Sequence, residues 1–246
     1  MQHRFNRSPG QRYRCEQYIP YLEKAGFECV YSPILINETE DTDFYSPGKY
    51  FIKALLLLKG VWRRTRDVLR AKNFDIIFIY REAFMTGTVL FEKLIHRTGD
   101  KIIYDFDDAI WNHDVSEANK KLSFLKRPEK TEEIIALADL VFAGNDYLAD
   151  YSRNFNKNVA VVPSTIDLEQ YKVQEKKNSG KVVIGWSGSY TTIAHFIPVI
   201  PVMKKLKEKY GSKVSFTVFG AHHFKNNELG IDGIEWTPQN EVSDIS

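Results

Sequence analysis

The chain has 246 residues, and its 34 Lys and Arg against 32 Asp and Glu leave a formal charge of +2, which excludes nucleic-acid binding driven by bulk charge. Hydrophobic residues at 43% and charged residues at 27% exclude a disordered or collagen-like chain. Two cysteines, Cys15 and Cys29, are too few for a disulfide framework and read as core thiols. The longest apolar runs, residues 54–58, 76–80 and 134–138, are far short of the roughly 20 residues that cross a bilayer. Residues 1–14 are basic and polar with no apolar stretch of the kind a signal peptide needs, so the expected compartment is the cytoplasm.

Apolar residues Cys15, Tyr18, Ile19 and Leu22 recur at helical spacing ahead of Gly26 and predict a helix over 11–25, followed by a strand over 27–32. A second helical pattern covers 49–72. Its apolar positions Phe51, Leu55, Leu58, Trp62 and Leu69 are expected to cover a sheet, with Lys53, Arg63, Arg64, Arg66 and Arg70 largely elsewhere and in water. The run FDIIFIY over 74–80 is the pattern of a strand buried on both faces in a parallel sheet. A helix over 88–96 and a strand over 101–104 repeat the unit, as do a helix over 129–138, a strand over 140–143, a helix N-capped by Asn145 and a strand over 159–162.

Residues 174–180 read as a linker. Beyond it come a strand over 182–186, a helix over 192–210 that Pro198 and Pro201 kink or delay, and strands over 214–219 and 231–236. Strands alternating with helices predict two α/β doubly wound domains, 1–173 and 181–246, the second incomplete.

Several constellations carry chemistry. Ser8, Pro9, Gly10, Gln11 and Arg12 stand at the start of the first helix, where free N–H groups and Gly10 suit an anion and Arg12 and Arg14 add forked donors; the plainer reading is a Ser-Pro helix start with solvated arginines. Ser187, Gly188 and Ser189 form a second strand-to-helix loop of the same kind. Asp105, Asp107 and Asp108 fall at the carboxyl end of a strand, where open parallel sheets bind ligands. Three acids within four residues repel one another and require a cation, a proton or hydroxyl donors. Tyr80, Arg81 and Glu82 end the preceding strand on the same rim, Arg81 either contacting substrate or pairing with Glu82 or the aspartates. The histidines show no metal-ligand spacing, and no metal site is expected.

The segment Val161 to Tyr171, VVPSTIDLEQY, resembles the V-P-N-G-V-D-x-x-x-F/Y segment closing the N-terminal domain of family 4 glycosyltransferases, with Ser164-Thr165 in place of Asn-Gly. Asn145 to Leu148, Arg81-Glu82, the acidic stretch from Tyr104 to Trp111 and Ile184 to Ser189 are similar to a bacterial branch of that group, in the family's order. The resemblance implies a GT-B architecture of two Rossmann-like domains facing a cleft, with a nucleotide-diphosphate sugar held by the second and a glycan or lipid-linked acceptor by the first. It also implies a retaining transfer with no bound metal and no cofactor. Many members carry a histidine near Asp107, so Asp107 or Asp108 becomes the group that orients a hydroxyl. Gly10, Gln11, Arg12, Arg81, Asp105, Ser187, Gly188 and Ser189 become substrate contacts. The family's donor-gripping E-x7-E element has no counterpart before Ser246, from which slow or absent transfer is expected of the 246 residues.

Two other classes compete. The apolar residues Ile102, Ile103 and Tyr104 before Asp105-x-Asp107 resemble the nucleophile motif of haloacid-dehalogenase-like phosphotransferases, with Asp105 attacking phosphorus in the presence of Mg²⁺, although that motif usually sits on the first strand. A non-catalytic nucleotide- or glycan-binding remnant is the other. The helix over 49–72 also allows peripheral contact with the inner face of an anionic membrane.

Overall fold

The computed structural model describes residues 1–46, 48–112, 127–169, 171–172, 180–188, 192–237 and 240–241. The linker residues 174–179 and Ser189 lie outside the described residues. The chain is mixed α/β and divides into two compact units, Met1–Ile166 and Asp167–Ser246. No helix among the described residues is long and apolar enough to cross a membrane.

The first unit is built on a parallel sheet of β1 (Ile76–Tyr80), β2 (Lys101–Phe106), β3 (Leu140–Ala143) and β4 (Val159–Val161), in that spatial order. Parallel neighbours need a crossover between them. Helix α5 (Leu90–His96) lies between β1 and β2 in sequence, α6 (Lys130–Leu137) between β2 and β3, and α7 (Asp146–Arg153) between β3 and β4. Asn145 caps α7 as its sequence position suggests, its side chain accepting from the Leu148 amide at 3.0 Å. Buried Ile79, Ile102, Tyr104, Phe106, Ile134 and Leu148 form the core. The register pairs Tyr80 with Asp105 and Phe106 with Ala143, so β1, β2 and β3 end at one level.

The amino-terminal segment departs from expectation. The helix over 11–25 is two helices, α1 (Pro9–Arg14) and α2 (Ile19–Lys24), joined by a 3-10 turn over Glu16–Tyr18. Pro20 sits in the first turn of α2 and has no N–H for the preceding turn, so a continuous helix is broken there. Gly26, at φ +94°, ends α2 in the left-handed conformation that glycine favours, with the Phe27 amide donating back to the Leu22 carbonyl at 3.0 Å.

The strand over 27–32 is absent, and residues 1–5 are not a strand either. Residues 1 and 2 meet residues 32–35 instead, the Met1 ammonium donating to the Ser32 carbonyl, the Ile34 amide to the Met1 carbonyl and the Leu35 amide to the Gln2 carbonyl. Side chains take the groups a ladder needs: Gln11 Oε1 accepts from the Gln2 and His3 amides, and Arg64 donates to the Met1 and Ser32 carbonyls.

Helix α3 (Glu38–Tyr45) was not expected, although Asn37, which accepts from the Glu40 amide, is a cap with the acid three residues on. Helix α4 (Tyr50–Arg70) has the predicted extent and the opposite facing. Phe51 is 76% exposed, Trp62 64% and Leu69 79%, with Leu55 and Leu58 also exposed, while Lys53, Leu56, Gly60 and Arg64 are buried. Arg64 inverts the helix: its guanidinium meets the carbonyls of Met1, Ser32 and Ala83 and the Asp67 carboxylate. Gly60 admits Ile34 and Phe84, each 3.0 Å from where a Cβ would stand.

The second unit pairs β5 (Val182–Ser187) with β6 (Val214–Phe219) in parallel. As the prolines suggest, α8 (Ile200–Tyr210) starts late, after 3-10 turns over Ile193–His195 and Ile197–Val199. The strand over 231–236 is shorter than expected: β8 (Ile231–Asp232) pairs antiparallel with β7 (Lys225–Asn226), and Ile234 alone bridges to Phe219. At Gly233 the chain passes so close to Ala221 that a Cβ would meet its carbonyl oxygen at 2.1 Å, which interrupts the ladder. Phe196, Met203, Phe216, Val218 and Ile231 form this unit's core.

Candidate functional site

The carboxyl ends of β1, β2 and β3 carry Arg81, the aspartates and Gly144. Strand alternation sends Tyr104 and Phe106 into the core, their ring centroids 5.3 Å apart, and sends Asp105 to the opposite face of the sheet. There Asp105 is 1% exposed and grips Arg14, whose Nε donates to Oδ2 at 3.0 Å and whose Nη2 donates to Oδ1. Arg14 also reaches the Val162 carbonyl at the end of β4. Burial pushes the Asp105 carboxyl up to about 6 against the pull of the guanidinium.

Asp107 and Asp108 leave the strand and meet a second guanidinium. Three donors converge on Asp107 Oδ1: the Tyr80 hydroxyl at 3.0 Å, Arg81 Nε at 3.1 Å and Arg81 Nη2 at 2.8 Å. Arg81 Nη2 also contacts Asp108 Oδ2. Arg81 holds φ +60°, a strained conformation for a residue with a side chain. Its amide donates to the Asp105 carbonyl and its carbonyl accepts from the Tyr104 hydroxyl, which fixes the turn. Burial opposes the Arg81 charge, but Tyr80 and the two carboxylates outweigh it and raise its pKa. Burial likewise pushes the Tyr80 phenol up, so it stays a donor.

The repulsion expected of three close acids is therefore answered by Arg14, Arg81 and the Tyr80 hydroxyl. Of the alternatives for Arg81, the structure shows the pair with the aspartates; Glu82 turns instead to Lys130. Asp107 is largely covered, whereas the Asp108 side chain is 65% exposed.

Two glycines close around this cluster. A Cβ at Gly10 would stand 2.1 Å from the Tyr80 hydroxyl and 3.5 Å from Asp107 Oδ2, and one at Gly144 would stand 3.0 Å from the Asp107 Cα. Gly10 thus seats the start of α1 against Tyr80 and Asp107. Sequence reasoning placed Tyr80 on the rim beside Arg81 without giving it a role, and missed Gly144, whose signal was its position between a buried strand and an Asn cap.

The other residues singled out from sequence are placed as follows. Gln11 is 0% exposed and locks the amino-terminal segment, meeting the Gln2 and His3 amides, the His3 carbonyl and the Tyr31 hydroxyl. Arg12 is half-buried with its guanidinium against Tyr13. In the 6–10 loop the Asn6 amide donates to the Glu16 carboxylate at 2.7 Å, so an anionic side chain already occupies part of the supposed anion cradle. Ser187 is exposed at the end of β5, and the Gly188 amide donates to the Phe219 carbonyl. A Cβ on Gly188 would strike the Trp186 ring at 2.5 Å, which gives that glycine a packing role. Ser189 lies outside the described residues. A cavity of about 420 Å³ between α3 and α4, lined by Asn37, Glu40, Ile52, Leu55 and Lys59 among others, includes none of the cluster.

The geometry denies Asp105 the nucleophile's part in phosphoryl transfer. An attacking carboxylate must reach its substrate, and Asp105 is enclosed with both oxygens on Arg14. What the cluster presents outward is one positioned carboxylate, one protruding carboxylate and the guanidinium joining them. Such a set accepts hydrogen bonds from vicinal hydroxyls. No protein-family model matches the chain, and no curated protein matches it significantly.

Proposed function

We propose that the chain is a glycosyltransferase-like protein that moves a sugar from a nucleotide-diphosphate sugar to a glycan or lipid-linked acceptor. Asp107 and Asp108 hold and orient a hydroxyl of the acceptor or of the sugar. The observation that carries the reading is the cluster of Arg81, Asp107 and Asp108 at the carboxyl end of the parallel sheet, the location at which open α/β sheets bind ligands. The ordered segments that resemble family 4 glycosyltransferases support it. In this reading both units are Rossmann-like domains of a GT-B enzyme, the first taking the acceptor and the second the donor.

The chemistry asked of the first unit is positioning. Asp107 is fixed by three donors before any ligand arrives, which lowers the cost of ordering it in a complex. Asp108 is exposed enough to accept a proton-bearing hydroxyl. Release of nucleoside diphosphate from UDP-, GDP- and ADP-sugars, with a panel of glycoside and polyprenyl acceptors, tests the reading. The expected result is slow release that depends on an acceptor. Calorimetric binding of nucleotide diphosphates without release replaces the transferase by a non-catalytic binding module, and neither binding nor release removes both.

A further inference from the structure

Helix α4 turns its most hydrophobic arc to solvent. Phe51, Leu55, Leu58, Trp62 and Leu69 follow the i, i+4, i+7, i+11, i+18 spacing that aligns side chains on one stripe, and all five are exposed. The helix has 21 residues and so is about 30 Å long. Scattered exposed apolar residues are ordinary on a protein surface, but a stripe of this length on one helix marks an interaction face.

Charge decides which partner the face suits. Lys59, Arg66 and Arg70 run along one edge of the stripe, all exposed. Asp67 is the sole acid of the helix sequence, and it is held on the other side by Ser32 and Arg64. Two carboxylates of α3 border the stripe beside Leu55 and Leu58, and both are engaged: Glu40 by Arg63 at 2.8 Å and by Lys59 at 3.7 Å, Asp43 by Lys49 at 2.7 Å. The exposed arc therefore combines apolar side chains, a central Trp and the unopposed charges of Arg66 and Arg70, while the bordering acids Glu40 and Asp43 are each paired with a cation.

We propose that α4 lies flat in the headgroup region of an anionic membrane, with Phe51, Leu55, Leu58 and Trp62 in the acyl boundary and Lys59, Arg66 and Arg70 on the lipid phosphates. Apolar burial and attraction to anionic lipid both contribute to such binding, and each basic residue near the surface adds about fivefold. The inference stands on the helix alone and does not depend on the transferase reading.

Flotation of the full chain with vesicles of equal parts phosphatidylcholine and phosphatidylglycerol, and with phosphatidylcholine alone, tests it. The chain is expected to float with the anionic vesicles, at least tenfold less with the neutral ones, and less as salt is raised. Leu58→Ser with Trp62→Ser, both on the exposed face and checked for folding by circular dichroism, is expected to lower partitioning at least tenfold. Lys59→Glu with Arg66→Glu is expected to abolish the preference for anionic lipid. Three results overturn the proposal: no flotation with anionic vesicles, flotation unchanged in the Leu58 and Trp62 variant, or a dimer in solution that this variant converts to monomer, which assigns the face to a second copy of the chain.

Discussion

Tyr80 and Asp107 meet where Gly10 leaves room for them, and that contact is open to a direct test. Gly10→Ala places a methyl 2.1 Å from the Tyr80 hydroxyl, so the residue packing there must shift. The expected cost is about 1–3 kcal/mol in urea unfolding, typical of an overpacked site. Tyr80→Phe removes the clashing oxygen, so Gly10→Ala is expected to cost less in that background, and a double-mutant cycle measures the difference. The Arg14–Asp105 pair behaves differently because both partners are buried. Arg14→Met leaves the carboxylate without its counter-charge, with an expected cost of about 3–5 kcal/mol at pH 7. Burial already holds the Asp105 carboxyl at about 6, above its ordinary 3.8, so the folded state binds the proton more tightly than the unfolded chain. Its contribution to stability is full below about pH 4 and shrinks as pH rises through 6. Without Arg14 that decline steepens, and the variant's deficit is expected to be smaller at pH 4 than at pH 7. That three neighbouring acids need neutralising groups was legible in the sequence. That Arg14, distant in sequence, would be one of them was not, because a helix start shows its anion-binding N–H groups and hides the buried salt bridge behind them.

Elements whose identity rests on local pattern were legible, and those decided by a distant side chain were not. The parallel strands β1 to β4, the Asn145 cap and the proline-delayed α8 follow from residues within a few positions of one another, although β1 lies at the sheet edge with Ile76 exposed rather than buried on both faces. The lost strand over 27–32 and the inverted face of α4 both trace to Arg64, which binds carbonyls brought to it only by the fold. Periodicity reports that a helix has two faces; which face is inside depends on what the buried polar group can satisfy. The contact of α3 with α4 rests on Glu40, which Arg63 meets through both terminal nitrogens at 2.8 and 2.9 Å. That guanidinium holds the Glu40 carboxyl below its ordinary value of 4.5, so its stabilising effect is present above pH 4.5 and is lost as pH falls below it. Glu40→Gln is therefore expected to lower stability by about 1.5–3 kcal/mol at pH 7, by loss of a charge-assisted hydrogen bond. Thermal unfolding followed between pH 7 and pH 3 is expected to show wild type and variant converging in acid.

For the molecule as a whole, the sequence pattern predicted alternating strands and helices, and the structure shows two compact α/β units with a parallel sheet in the first. The candidate site was legible as a rim of acids at strand ends but not as a mechanism, since the residues that turn the rim into an oriented pair, Tyr80, Gly10 and Gly144, act through contacts between separate segments. The central claim is that Asp107 and Asp108 receive a sugar or acceptor hydroxyl. Its most direct test compares acceptor-dependent release of nucleoside diphosphate by wild type, Asp107→Asn and Asp108→Asn, each shown to be folded by circular dichroism. Loss of a positioned carboxylate is expected to lower kcat/KM about 10²-fold in each variant. Equal rates in all three proteins would contradict the claim.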